Sequence, residues 1–527
     1  MLSARAIPVK QQTLIGFGVT VFGLLAAYEI AGWVAGENLI RIAFLAVGAG
    51  VCIVALRIMR DWRSGFYVFL AWVLFEDLIR KFLGNNMAIY FGKDALALLI
   101  YIALFIAVRN HRDRVFRPPF LFALAFFFWF AFLQVFNPNS PSALYGALGM
   151  KVYFWYVPLV FVGYALIRND DDLRRFLTVS MVLAAVIAGL GIIQAIVGPQ
   201  FLNPATLAPD IRDLGALDKV TPLTHEIIHL PSSVFVSTGR YSLYLFLASV
   251  VGMGSAGYLL LHTVRGRWIV FGSLGVIAVG IALAGSRGAL VLSVASASVM
   301  TVAFIWGAPW RTRQVYRMLK AVRRSAIIMG LCLAAAAIVF PKAIGSRWDF
   351  YSETLSPSSS AYELSTRTWD YPLYNIGLAF SERHWVMGYG VGTTSLGAQY
   401  VARYLNQRRP EIAVESGYGS LVVELGIGGL ILWLIWTTVL VIGCWRVVLK
   451  LRQTRLFPIG FAVFWFALVL LFPMTFGSIN CYQDYILNAY LWILVGVLFR
   501  LPDLLLARPV PLPAPAFALR PNEAPTI

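Results

Sequence analysis

The sequence is short of charge, histidine and cysteine. Of its 527 residues only 13% are Asp, Glu, Lys or Arg, five are His and four are Cys. With 59% of the residues hydrophobic and a mean hydropathy of +0.75, so little charge excludes a soluble chain of this size, which could not hide that much apolar surface. The cysteine usage excludes a disulfide framework and a thiolate metal site. No CxxC pair occurs, Cys52, Cys332 and Cys444 lie in or beside apolar stretches, and only Cys481 falls near a loop. A small-residue cleavage site is missing after the first apolar run, 13–34, which therefore reads as a span and not as a cleaved signal peptide. Acidic residues are scarce as well, 25 against 43 Lys and Arg, for a net charge of +18. The basic residues fall in short blocks between apolar runs, the pattern of a topology signal and not of a nucleic-acid surface.

What the chain does have is apolar runs. Fourteen can be read, at 13–34, 39–56, 66–79, 95–108, 120–136, 152–167, 176–197, 241–261, 268–284, 289–306, 326–340, 421–444, 457–472 and 486–498. A spanning helix needs about 20 mainly apolar residues, so the shorter runs must extend into flanking residues. Basic clusters such as RIMRDWR, RNHRDRVFR and RTRQVYRMLKAVRR follow the even-numbered runs. They share one side, which the positive-inside rule makes cytoplasmic, and both termini fall there too.

The expected architecture is an all-α polytopic membrane protein with about 14 transmembrane helices and two long outer-face loops. Residues 1–197 form the N-terminal helices, 198–240 the first long loop, and 241–340 the central helices. Residues 341–417 form the second long loop with amphipathic helices, 418–500 the C-terminal helices, and 501–527 a Pro/Ala-rich, disordered cytoplasmic tail. Loops beyond about 12–15 residues are usually functional or disordered. The segments TRTWDYPLYNIGLAFS and LGAQYVARYLNQRR make the second loop a folded one, and chemistry is expected at the outer membrane surface.

Three constellations carry candidate chemistry. THEIIHLPSS contains His225-Glu226-x-x-His229, which on a helix would put two imidazoles on one face for zinc. Pro222 and Pro231 bracket it, leaving at most about two helical turns, and no third ligand is marked by spacing among Asp210, Asp213, Asp218, Asp349 or Glu353. The expectation is no metal, with Ile227, Ile228 and Leu230 dipping into lipid. AGSRGALV places Arg287 in a tight outer turn between Gly285 and Gly288. An arginine there must snorkel, pair or bind an anion, and its rigid fork of donors suits phosphate. Arg240, closing the first loop at STGRYS, is a second such arginine, with snorkelling the plainer alternative.

The third constellation is VESGYGSLVVELGIGGLILW. Glu415 sits just outside the span, where it is either a general base for a hydroxyl nucleophile or an ordinary carboxylate at a helix N-terminus. Glu424 lies deeper and must be paired or face a polar cavity. In FEDLIRK, Glu76 with Arg80 and Asp77 with Lys81 are expected as i,i+4 ion pairs. Trp369, Tyr371, Trp385 and Tyr418 are candidates for stacking on sugars.

In their order, GSRGALV, then STRTWDYPLYNIGLAFSERHWVMGYGVGTTS, then ESGYGSLVVELGIGGL, these segments resemble the O-antigen ligase and Wzy-type polymerase superfamily over about residues 240–429. The resemblance implies a GT-C-like glycosyltransferase of the bacterial cytoplasmic membrane, with its active site facing the periplasm and no cofactor. The donor would be an undecaprenyl-pyrophosphate-linked glycan and the acceptor a second glycan. Polysaccharide-export or chain-length proteins are candidate partners. Arg287 and Arg367 match the two family arginines that hold pyrophosphate. The family's histidine falls at Glu415, a departure that favours polymerisation or a related transfer over ligation to lipid A-core. Arg240, Tyr418 and His229 are expected lining residues. The competing readings are a ligase proper, a lipid-linked sugar transporter or flippase, which predicts pseudo-symmetric halves and midplane charges, and last a zinc metalloprotease.

Overall fold

The structure, a computed structural model, describes residues 39–110, 116–204, 218–261, 267–310, 341–406 and 414–506, with scattered positions between 315 and 338. The expected span at 13–34, most of that at 326–340, Asp210, Asp213 and residues 507–527 of the tail lie outside the described residues. The chain divides into two compact units, Met1–Tyr67 and Val68–Ile527. The first contains helix Leu39–Arg60, and helix Trp62–Phe82 begins in it and ends in the second.

Among the described residues eight helices are long and apolar enough to cross a membrane: Met87–Arg109, Ala143–Leu166, Asp170–Val197, Thr238–Leu261, Arg287–Gly307, Gly417–Lys450, Phe457–Gly477 and Tyr485–Leu506. Two shorter apolar helices, Leu121–Phe136 and Arg267–Leu283, accompany them. Local chemistry sets several starts. Asn169 caps helix Asp170–Val197 by accepting from Asp172 N at 2.9 Å, and three aspartates in its first turn suit the positive end of the helix dipole. Asn86 and Ser142 cap the helices that start at Met87 and Ala143 in the same way.

The bundle buries an aromatic centre. Trp433 meets Tyr482 edge-on at 4.8 Å and Trp436 at 5.1 Å, while Trp436 stacks on Trp492 at 6.0 Å. Small residues let helices Leu159–Leu166 and Tyr485–Leu506 meet at their backbones. A Cβ on Gly163 would fall 2.2 Å from Ile493 O, and one on Gly496 would fall 2.1 Å from Val160 O. The opposite is seen on helix Leu121–Leu133, where Phe122, Phe126, Trp129 and Leu133 form an exposed apolar stripe. Their spacing of three and four residues puts them on one face, and lipid accounts for its exposure.

The two long loops are folded where they are described. In the first, strands β1 (Asp218–Val220) and β2 (Ile227–His229) form an antiparallel hairpin, the one departure from an all-α reading among the described residues. In the second, helix Pro341–Leu355 is followed by a π-helical turn, Thr366–Asp370, which runs directly into helix Tyr371–Ser381. A short helix, Ala398–Tyr404, completes it.

Candidate functional site

The site is built where the hairpin meets the turn before helix Arg287–Gly307. Gly285 has φ +64°, and a Cβ there would fall 2.3 Å from Leu230 Cδ2. The hairpin's edge thus sits directly on the AGSRG turn, and only glycine fits both the left-handed backbone and the contact. Ser286 caps the helix by accepting from Ala289 N. Two further ties hold the hairpin. Buried Arg347 donates from Nε to Leu283 O at 2.8 Å and from Nη2 to His229 O at 2.7 Å. Glu353 accepts from Leu223 N at 2.8 Å and Thr224 N at 3.2 Å.

On this platform the two arginines singled out by the sequence come together. Arg287 Nη1 lies 2.8 Å from Glu363 Oε2, and Arg367 Nε lies 3.6 Å from the same oxygen. The Arg287 guanidinium stands over the Phe350 ring at 5.2 Å, and Lys219 Nζ lies 5.5 Å from that ring. Three cations therefore gather around one carboxylate. Burial, then the charges of Arg287 and Arg367, push the Lys219 ammonium below the usual lysine range. Partial burial acts to raise the Glu363 pKa, but the hydrogen bond and charge of Arg287, with Arg367 behind it, hold it below the usual carboxylate range. A cluster with excess positive charge, partly open to solvent, is chemically suited to phosphate.

Glu415 is exposed and lies one residue before Ser416, the N-cap of helix Gly417–Lys450. Its backbone N–H donates to Asn375 Oδ1 at 3.0 Å, and Asn375 Nδ2 donates to Tyr371 O at 2.8 Å. Asn375 is eight residues beyond Arg367 in a nearly continuous helical segment, about 12 Å along the axis. Tyr418 packs edge-on against Phe476 at 5.8 Å, and Trp369 packs on the same ring at 5.8 Å. The arginine-bearing turn and the Glu415–Tyr418 corner are thus two ends of one surface, joined by residues 366–381.

Other sequence candidates have partners of their own. Arg240 pairs at once with Asp77 and with Asp484, at 2.6 Å for the latter, and stands over Tyr485. Its charge is answered inside the protein by two carboxylates, so it does not snorkel. Of the expected pairs of FEDLIRK, Glu76–Arg80 is present at 3.9 Å, with a nearer partner for each residue, and Asp77–Lys81 is replaced. Glu76 takes Lys93 at 2.9 Å, while Arg80 lies nearer Asp77, at 3.1 Å, than Glu76, at 3.9 Å. Lys81 donates to Ser232 Oγ and Ser233 O, not to Asp77. Spacing along one helix could not reveal the Lys93 and Ser232 partners, whereas Asp77 and Arg80 are an i,i+3 pair of the same helix. Buried Glu424 accepts from Tyr153 OH at 2.9 Å, Thr394 N at 3.0 Å, Thr394 Oγ1 at 2.9 Å and Ser395 Oγ at 2.8 Å. It is the paired alternative of the two expected for it.

The His-Glu-x-x-His segment is not helical. His225 lies in a turn with φ +55° and His229 ends β2, where its Nδ1 lies 2.5 Å from Asp218 Oδ1. The two imidazoles therefore lack the common helix face that a zincin needs. Ile228 and Leu230, expected to dip into lipid, are buried against Phe350, leaving Ile227 exposed. His229 belongs to the hairpin that carries Lys219, but as the partner of Asp218 it lies on the opposite face of the hairpin from that lysine.

Lys219, Glu363 and Asn375 were not foreseen. The i,i+4 spacing of Glu363 and Arg367 was legible, whereas Lys219 reaches the cluster only through the hairpin. Fold and site define a helical membrane protein with a folded, charge-bearing surface at the ends of its spans. No protein-family model matches the chain, and no curated protein matches it.

Proposed function

We propose that the protein is a membrane glycosyltransferase of the O-antigen polymerase and ligase type, with about fourteen spans in a GT-C-like arrangement. It works at the outer face of the bacterial cytoplasmic membrane, with both termini cytoplasmic. The observation that carries the reading is the convergence of Arg287 and Arg367, eighty residues apart, on the single carboxylate of Glu363, with Lys219 beside them. In this reading the cluster holds the pyrophosphate of an undecaprenyl-pyrophosphate-linked glycan and stabilises its departing charge. An acceptor sugar hydroxyl attacks the anomeric carbon, the bond from that carbon to the pyrophosphate oxygen breaks with the electron pair leaving on oxygen, and Glu415 takes the hydroxyl proton. Trp369, Phe476 and Tyr418 offer ring faces for the sugars beside Glu415. The glutamate in place of the family histidine favours polymerisation over ligation.

Purified protein given lipid-pyrophosphate oligosaccharide in the presence of EDTA is expected to make longer glycans. Glu415→Ala is expected to stop this while leaving thermal unfolding unchanged. Full activity in both Arg287→Ala and Arg367→Ala, or activity that needs zinc and is lost in His225→Ala, would overturn the reading.

A lipid-linked sugar transporter is the second reading. It is favoured by the helix break at Gly426 and the buried ion network of Glu76, Asp77, Lys93 and Arg240, since transporters use broken helices and intramembrane charges. Movement of the labelled lipid across proteoliposome membranes without glycan growth would select it.

A further inference from the structure

The second long loop presents an apolar face. On helix Tyr371–Ser381, Pro372, Asn375 and Ala379 are buried while Leu373, Tyr374 and Phe380 are exposed. Trp369 precedes this face, and Trp385, Val386 and Met387 continue it, all exposed. The buried side packs on the start of helix Gly417–Lys450, with Ala379 against Val422 and Val423.

The depth of this face follows from the helix it packs on. The first charged residue at the far end of that helix is Arg446. A hydrocarbon core of about 30 Å takes about 20 helical residues. Counted back from Trp445, they end at Gly426, where the helix breaks with φ +71° and ψ −177°. Residues 385–390 are hydrogen-bonded at that break: Ile427 N donates to Trp385 O at 3.1 Å, and Tyr389 N donates to Val423 O at 2.8 Å. On their other side, side chains satisfy the turn's carbonyls. Gln134 Nε2 donates to Met387 O at 3.0 Å, and Asn139 Nδ2 to Gly388 O at 3.1 Å. Irregular backbone at membrane depth is tolerated when its polar groups are satisfied by protein in this way. The turn thus enters the boundary of the core with its backbone satisfied and its apolar side chains outward.

We propose that residues 369–387 form an interfacial element whose partner is the lipid bilayer itself. Trp385–Met387 reach the edge of the hydrocarbon, and helix Tyr371–Ser381 lies along the headgroup layer. Tryptophan and tyrosine at this level are what membrane interfaces favour, and an amphipathic helix seats its apolar face about 5–10 Å into the headgroup boundary. The seating goes beyond the glycosyltransferase reading and does not depend on it. Where that reading also holds, Arg367, two residues before Trp369, meets the phosphate of a lipid-borne donor at the height at which it travels.

The test uses the full chain in lipid nanodiscs. Leu373→Cys, Phe380→Cys and Val386→Cys are spin-labelled in a Cys52→Ser background, with that background protein as the blank. Ser358→Cys, on an exposed residue of the same loop, is the aqueous reference. The labels at 373, 380 and 386 are expected to favour oxygen over a water-soluble nickel complex, most strongly at 386, while Ser358→Cys shows the reverse. Equal nickel access at 373, 380, 386 and 358 would overturn the proposal. So would labels at 373, 380 and 386 shielded from both reagents, which would mean that a protein covers the face. Activity plays no part in the readout, so its loss leaves this test unaffected.

Discussion

Arg287 and Glu363 are joined at 2.8 Å across 76 positions of sequence, and the carboxylate oxygen that Arg287 holds is the one Arg367 also approaches. On the proposed reading Glu363 occupies the place of an anionic ligand, which would displace it. Glu363→Gln is expected to tighten binding of inorganic pyrophosphate by about 2–5-fold, the range that a partly exposed ion pair of up to about 1 kcal/mol supports. Titration calorimetry of the purified protein reads this, and Arg287→Ala should weaken the same binding. Because the Glu363 pKa is lowered in the fold, the bridge persists at neutral pH. It is lost only as pH falls through that lowered value.

Lys219 gives the cluster a pH dependence of its own. Its folded pKa lies below the usual lysine value, by burial first and by the neighbouring arginines second. A bound anion favours the charged amine and raises that pKa, so binding takes up protons. Pyrophosphate affinity is therefore expected to fall as pH rises through the depressed Lys219 pKa, earlier than an ordinary lysine would allow. Lys219→Gln should weaken binding at neutral pH and flatten this alkaline limb.

Asn375 holds the Glu415 backbone, and on the proposed reading it is a positioning residue. Its truncation removes the side-chain bonds to the Glu415 N–H and the Tyr371 carbonyl, a net cost of about 0.5–1.5 kcal/mol per hydrogen bond. Asn375→Ala is expected to lower the transfer rate while the rate's dependence on pH is unchanged. Glu415→Ala should remove about 10²–10⁴ of the rate. Glu415→His, which puts the histidine of the proposed enzyme class at this position, should recover part of it.

The break in helix Gly417–Lys450 admits only glycine. Gly426 has φ +71°, and a Cβ would fall 2.1 Å from Val386 O. Gly426→Ala is expected to destabilise the fold by at least the 1–3 kcal/mol of a strained backbone, with the clash added. The effect should appear as a lower thermal midpoint in detergent. Gly428→Ala, where the nearest neighbour is the Phe130 ring at 3.2 Å, should cost less.

Much of the fold was legible because spanning helices depend on local composition. Lipid on every side demands long apolar runs, and such runs are visible without knowing their neighbours. Each run that falls on continuously described residues is mainly helical, with 152–167 interrupted by a turn between helices Ala143–Phe154 and Leu159–Leu166, and the amphipathic segment TRTWDYPLYNIGLAFS forms helical residues 366–381. Arg287 and Arg367 were readable as a pair only through motif order. Their meeting at Glu363 required the tertiary fold.

By itself, the sequence determined that this is a helical membrane protein, where most of its apolar helices lie, and that unusual charges sit at helix ends and within apolar runs. Only the tertiary structure decided which charges answer one another. It locked Arg240 between Asp77 and Asp484, satisfied Glu424 with four donors, turned the histidine motif into a hairpin, and brought Lys219 beside Arg287. The physical reason is range. Hydrophobic periodicity acts over a few turns of one helix, whereas a buried charge is settled by whichever partner the packing brings within hydrogen-bond distance, however distant in sequence.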